Sequence, residues 1–200
     1  MVGVSMFRQL LRAETARQQF FREGRVPEFL GEVTPVLQRH LEASICLREG
    51  DAPQAARILA DAEARRPHVQ GVCDGTAFDD LRDLDDLTAP LLEVLTSTGK
   101  YFWVPLERIE SLEFHPPQRP RDLLWRRVHM VVTGGPDGEV FLPVLYPNTH
   151  AARDDQLRLG RATEWSGGDE APVLGVGQRI FLVGDEDKTV MELKQIEFKA

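Results

Sequence analysis

The chain has 200 residues, 42% of them hydrophobic and 28% charged, with a formal net charge of −8. That length and balance suit one globular domain of comfortable size or two small ones, with a core large enough to need no disulfide or metal staple. The acidic excess argues against nucleic acid as a ligand, because phosphate binding calls for clustered Lys and Arg, and no apolar run reaches the roughly 18 residues of a transmembrane helix.

The first 70 residues read as helices. Met6, Leu10, Ala13, Ala16 and Phe20 recur at three- and four-residue steps, with Phe7 and Leu11 beside them, which predicts an amphipathic helix over 6–22. Gly24 is its stop signal. Thr34 then offers an N-cap and Pro35 the first helical position. This second helix is expected to bury Leu37, Leu41 and Ile45 and to end at Gly50. Asp51 caps a third, with Gln54 as a capping-box partner, which runs through Ala55, Leu59 and Ala62 and stops before Pro67. Ala43, Gly50, Ala55, Leu59, Ala62 and Pro67 fall at tetratricopeptide-like spacing, where small side chains let two antiparallel helices approach. Such a pair must stack on a neighbour to bury its outer face, and helix 6–22 is the expected neighbour.

Residues 79–98 predict a further helix, capped by Asp79 or Asp80, with Leu81, Leu84, Leu87, Leu91, Val94 and Leu95 on one face and a kink at Pro90. Beyond Gly99 the texture changes. Short β-prone runs at 101–104, 109–114, 127–133, 139–145, 178–183 and 189–197 alternate with Gly and Pro. Gly134–Gly135–Pro136–Asp137–Gly138 marks a hairpin turn. Residues 147–172 read as a long surface excursion. The expected fold is α+β: a helical, tetratricopeptide-like region over 1–98, then a β-rich domain over 99–200 built as a small antiparallel sheet or partly closed barrel.

Chemistry is sparse. Residues 71–99 hold seven acids (Asp74, Asp79, Asp80, Asp83, Asp85, Asp86 and Glu93) against Arg82 alone, and so carry six of the eight net negative charges. The run lacks the glycine and the spacing of a calcium loop. Acids opening a helix favour its dipole, so capping and a solvated face are expected. No histidine pair has zinc-site spacing, and no cofactor or metal is expected. Cys46 and Cys73 form neither a CxxC pair nor a disulfide framework, and fit a reducing compartment. Met1–Arg17 lacks the basic and apolar segments of a signal peptide, so the cytoplasm is the expected location. Gly175–Val176–Gly177 reads as a turn before a strand. His150 with Asp154 and Asp155 has the residue types of an acid–base site but no nucleophile beside it, leaving a hydrolase as the alternative to a binding protein. Trp and Tyr are enriched where proteins dock, and in a small β domain most still belong to the core. The candidates for a partner surface are Tyr101, Trp103, Trp125 and Tyr146.

Several segments carry a family resemblance. Ala13–Glu14–Thr15–Ala16–Arg17, Pro27–Glu28–Phe29–Leu30–Gly31, Gly99–Lys100–Tyr101–Phe102–Trp103–Val104–Pro105 and Pro116–Pro117 come first. Arg121–Asp122–Leu123–Leu124–Trp125, Phe141–Leu142–Pro143, Tyr146–Pro147, Leu157–Arg158–Leu159–Gly160–Arg161 and Gly175–Val176–Gly177–Gln178–Arg179 follow. In their order and spacing the chain resembles the ImpE/TagJ family, accessory proteins of bacterial type VI secretion. The resemblance implies a helical N-terminal part, a distinct C-terminal globular domain and a non-enzymatic adaptor role. It implies binding to an N-terminal helix of the small subunit of the contractile sheath, and a link from the sheath to its AAA+ unfoldase. Members of that family carry further helical repeats before the point where this chain starts, and this chain is expected to depart from the pattern by lacking them. A second copy completing that helical array, as a homodimer or self-associating scaffold, is a further expectation.

Overall fold

The computed structural model describes residues 2–199. Three helices fill the first third of the chain: α1 (Val2–Glu23), α2 (Pro35–Glu49) and α3 (Ala52–Glu63). Their ends follow the local chemistry. Thr34 Oγ1 accepts from the Leu37 N–H at 3.3 Å, and Asp51 Oδ1 accepts from the Gln54 N–H at 3.1 Å. Gly24 and Gly50 take the left-handed φ values of +79° and +83° that end α1 and α2. Ala43 and Ala55 are wholly buried where α2 and α3 meet, with Leu59 and Leu87 beside them. Ile45, expected on the buried side of α2, is instead 46% exposed. The helix turns His40, Ala43 and Ser44 inward because the partner it packs on is set by α3 and by the Leu87 loop.

The strands are β1 (Glu28–Phe29), β2 (Gly71–Cys73), β3 (Thr76–Phe78), β4 (Leu81–Asp83), β5 (Leu91–Thr96), β6 (Tyr101–Pro105) and β7 (Ile109–Phe114). They continue with β8 (Trp125–Val132), β9 (Asp137–Pro143), β10 (Thr163–Gly168), β11 (Ala171–Gly177), β12 (Ile180–Val183), β13 (Glu186–Thr189) and β14 (Gln195–Phe198). Nine of them form one open sheet in the order β1-β6-β5-β9-β8-β7-β14-β2-β3. β1 pairs parallel to β6, and every other pairing is antiparallel. A three-stranded sheet, β13-β12-β4, and the hairpin β10-β11 complete the β structure. The turn at 134–138 joins β8 to β9 as a hairpin.

Residues 79–98, expected as a helix, form β4, a buried turn and β5. The reason is that β5 is covered on both faces. Leu91 and Leu95 meet α1 on one side, and Leu92 and Val94 enter the main core on the other. A doubly buried strand is a continuous apolar run, and its leucines mimic helical spacing. Strands of the main sheet thus begin at residue 71, and β1 adds residues 28–29 to its edge. Gly175–Val176–Gly177 lies at the end of β11 rather than in a turn. The 147–172 excursion holds the single-turn helix α4 (Asp155–Arg158) and the β10 half of a hairpin.

Two apolar layers sandwich the main sheet. One joins β5–β9 to β12, β14 and the segment 190–193. The other is made by α1, whose Leu10, Ala13, Ala16 and Phe20 pack on Leu91, Leu95, Tyr101, Trp103, Trp125 and Phe141. Phe20 meets the Trp103 indole edge-on, with ring centroids 4.7 Å apart and planes at 71°. α1 therefore lies across a sheet face as well as touching α2.

Candidate functional site

Beneath α1 the structure buries charge. Arg17 is on the sheet-facing side of α1 and is 3% exposed. It grips Glu93 of β5 with two bonds, Nε to Oε1 at 2.9 Å and Nη2 to Oε2 at 3.0 Å. Its remaining N–H groups reach the Leu145 carbonyl and Glu14. Arg179, 2% exposed, bridges Glu93 to Asp83 of β4. Thr88 Oγ1, Tyr146 Oη and the Asp85 N–H also donate to Asp83, at 3.0, 2.7 and 2.9 Å. Asp85 accepts from the Leu87 and Gly175 N–H groups, both at 2.9 Å. Removing one member of such a set leaves a buried charge uncompensated, at about 3–5 kcal/mol.

The four aromatic residues expected at a partner surface belong to this interior. Tyr101 is 3% exposed, Trp103 0%, Trp125 5% and Tyr146 1%. Tyr101 Oη donates to Glu93 at 2.6 Å, and Trp103 Nε1 donates to Tyr101 Oη at 2.7 Å. Trp125 Nε1 donates to Glu14 at 3.1 Å. Tyr146 lies under the Arg179 guanidinium. The expectation that these side chains face a partner gives way to an interior role: Tyr101 and Tyr146 spend their hydroxyls on the buried acids Glu93 and Asp83, Trp103 donates to the Tyr101 hydroxyl, and Trp125 donates to the partly buried Glu14. Trp165, packed edge-on against Tyr146, is the tryptophan that reaches solvent.

The acidic run is corrected in the same way. Asp83 and Asp85 are interior ligands, not a solvated helix start. Asp80 pairs with the buried Arg66, and Asp86 takes Arg82 Nη2 at 2.8 Å and the Val173 N–H at 2.7 Å. Two arginines thus meet three carboxylates. The imbalance falls on Asp85, whose pKa is pushed up to about 7 by burial and by the Asp83 charge. Glu93 also suffers burial, but its two arginines win and hold it down near 2. Asp85 sits beside a cleft of about 360 Å³ between the helices and the β10–β11 hairpin, walled by Phe21, Leu47, Leu174 and Val176, with Arg48 at one side.

The hydrolase constellation does not assemble. His150 Nε2 accepts from Arg22 Nη2 at 2.6 Å. Asp154 caps α4 through the Gln156 N–H, and Asp155 pairs with Arg158. His40 bonds the Leu87 carbonyl, and burial lowers its pKa to about 4, so it holds a loop as a neutral ring. Burial pushes the Cys73 thiol up to about 11, away from nucleophile character. Among the described residues no group of three His, Cys, Asp or Glu side chains has the arrangement of a metal site. No helix among them is long and apolar enough to cross a membrane.

Sequence reasoning missed Arg17, Asp83, Glu93 and Arg179. A signal was present: Glu93 interrupts the apolar run Leu91–Leu95, and Arg17 stands beside the stripe of Ala13, Ala16 and Phe20. A charge inside an apolar pattern calls for an opposite charge elsewhere in the interior.

This interior belongs to a recognisable class of protein. Residues 75–197, more than half of the chain, match the family model described as ImpE protein, and the chain belongs to that family. It is similar to the type VI secretion system accessory component TagJ of Pseudomonas aeruginosa, with 29% identity over 196 residues, 98% of this chain and 68% of that protein. It is also similar to the crystal structure of protein VPA1032 from Vibrio parahaemolyticus, with a TM-score of 0.90 and 27% identity over 99% of this chain and 74% of that one. Segments that carried the resemblance in the sequence, at 13–17, 99–105, 121–125 and 175–179, converge on the buried network.

Proposed function

We propose that the chain is an accessory component of a type VI secretion system that works by holding other proteins rather than by making or breaking covalent bonds. The observation that carries this reading is the 29% identity to a protein of that name over 98% of the chain. The commitment of the titratable groups above to one another supports the non-enzymatic part. The buried ion pairs of Arg17 and Arg179 with Glu93 and Asp83 rigidify a scaffold, and His150, Asp154 and Asp155 are each bonded to separate partners and do not meet as an acid–base set.

The finer reading is an adaptor in the cytoplasm. The α2–α3 pair acts as a tetratricopeptide-like element, the partner is the N-terminal helix of the sheath small subunit, and the AAA+ unfoldase that recycles the sheath is the second partner. Recognition takes the form of an amphipathic helix laid along a complementary surface. Calorimetric titration of the chain with the sheath subunit's N-terminal peptide tests it. Saturable binding at ~100 µM or tighter is expected; no heat at that concentration, with either the peptide or the intact subunit, removes the adaptor reading.

A further inference from the structure

Strand β7 ends at Phe114, and the chain reaches β8 through Pro116, Pro117 and the 3-10 turn Pro120–Leu123. Three prolines in the five positions 116–120 fix φ and stiffen this connection. Asp122 ties it further: its Oδ2 accepts from the Gln118 and Arg119 N–H groups at 2.9 and 3.0 Å. The His115 N–H donates to the Arg127 carbonyl at 3.0 Å, so the two ends of the loop are held side by side.

The frame encloses a small cavity of about 90 Å³, lined by His115, Arg119, Arg121 and Arg127 with Asp122. Its guanidinium groups are under-used. Among the described residues Arg119 forms no ion pair, and Arg121 approaches only Asp122, with Nε 3.6 Å from Oδ1, too far for a hydrogen bond. Arg121 Nε is buried there without a partner, and a buried donor left unpaired is costly until an acceptor reaches it. Arg127 Nε and His115 Nε2 share Glu139, at 3.1 and 3.0 Å. Three arginines and a histidine thus meet two carboxylates, a local reversal of sign in a chain of net charge −8.

We infer that this cavity is a binding site for a phosphate dianion, either the free ion or the end group of a phosphorylated small molecule. Size and donor count select it. A water takes up about 30 Å³ of liquid, so the cavity holds the equivalent of about three, the bulk of one compact anion. Each guanidinium carries five N–H donors, and three of them outnumber what the two oxygens of a carboxylate can accept. A tetrahedral anion has more acceptor oxygens, and arginine binds it through paired, charge-assisted bonds. Polyanions fit less well, because nucleic acid or an acidic membrane would carry its other phosphates across a surface of net negative charge. The site goes beyond the protein-holding reading, and the failure of either leaves the other standing.

The whole chain is titrated with inorganic phosphate, glycerol phosphate and dimethyl phosphate at fixed ionic strength, and binding is read from nuclear magnetic resonance shifts of backbone and arginine Nε–H groups. Inorganic phosphate is expected to bind saturably with a dissociation constant of about 1 mM or tighter, with its shifts gathered at residues 115–127. Dimethyl phosphate, singly charged and with two oxygens blocked, is expected to bind at least about tenfold more weakly. Arg119→Gln and Arg121→Gln are each expected to weaken phosphate binding about tenfold at an unchanged melting temperature. Arg119 is exposed, so its variant carries the test if Arg121→Gln disturbs the fold. Glu139→Gln removes the carboxylate that competes for His115 and Arg127, and is expected to tighten binding about threefold, a gain that a purely structural role for these cations does not produce. Arg153→Gln, exposed elsewhere on the chain, leaves binding unchanged. Glycerol phosphate binding as tightly as phosphate assigns a phosphorylated small molecule, and its exclusion assigns the free ion; both uphold the site. No saturable shift below about 10 mM phosphate, shifts scattered over the surface cations, equal binding of dimethyl phosphate, or indifference to Arg119 and Arg121 overturns it.

Discussion

Asp85 carries the one surplus charge of the interior, and its titration follows from that position. Its pKa is raised from the ordinary aspartate value to about 7 in the folded chain. The folded state therefore binds a proton that the unfolded state has lost between about pH 4 and 7, and stability falls as pH rises through that window. Glu93 acts in the opposite sense: its pKa is lowered to about 2, so its contribution is complete above the unfolded value of 4.5 and is lost as pH falls toward 2. Asp85→Asn isolates the first effect. Urea denaturation from pH 5 to 8 is expected to show wild type losing stability relative to the variant as pH rises, by up to about 1.4 kcal/mol per pH unit; parallel curves refute it. At this scale the sequence was least legible. Asp85 sits in an acidic run that reads as surface, and only the Gly175 N–H, 90 positions away, and the Asp83–Arg179 pair make it an interior group.

The helix ends were readable because their causes are local. Thr34, Asp51, Gly24 and Gly50 each act on backbone groups within a few residues. Strand β5 was not, since its apolar run is the signature of burial on two faces, and nothing nearby in sequence supplies those faces. β11 shows the same limit. Gly175 needs no positive φ; it is small because the Tyr146 ring lies against its backbone. A Cβ there would fall 2.3 Å from Tyr146 Cδ2, and Tyr146 is fixed by bonds to Asp83 and Ile180. Gly175→Ala is expected to cost about 1–3 kcal/mol, as overpacking does. Gly50→Ala meets nothing within 4 Å and bears only its φ of +83°, about 1 kcal/mol. Denaturant midpoints of the two variants compare a collision with a backbone preference; equal shifts, or no shift for Gly175→Ala, contradict the packing described.

Taken whole, the molecule does not divide into a helical array and a separate sheet. α1 forms one layer of the sandwich, β1 pairs with β6, and Arg17 holds Glu93. A chain beginning at residue 34 uncovers Leu91, Leu95, Tyr101, Trp103, Trp125 and Phe141 and leaves the interior with one arginine fewer. It is expected to lose near-ultraviolet circular dichroism and to be cut readily by protease; a cooperative, protease-resistant fold would show that the sheet needs no α1. The sequence by itself determined the helices of the first 64 residues, most strands after residue 100, the hairpin at 134–138 and the family, because caps, turns and periodicity are short-range and a family is recorded in the order of its motifs. Only the tertiary structure decided which charges are interior, that 79–98 is strand and turn, and that the aromatic residues of 101–125 face inward. Burial is a property of what packs against a residue, and those neighbours lie tens of positions away in the chain.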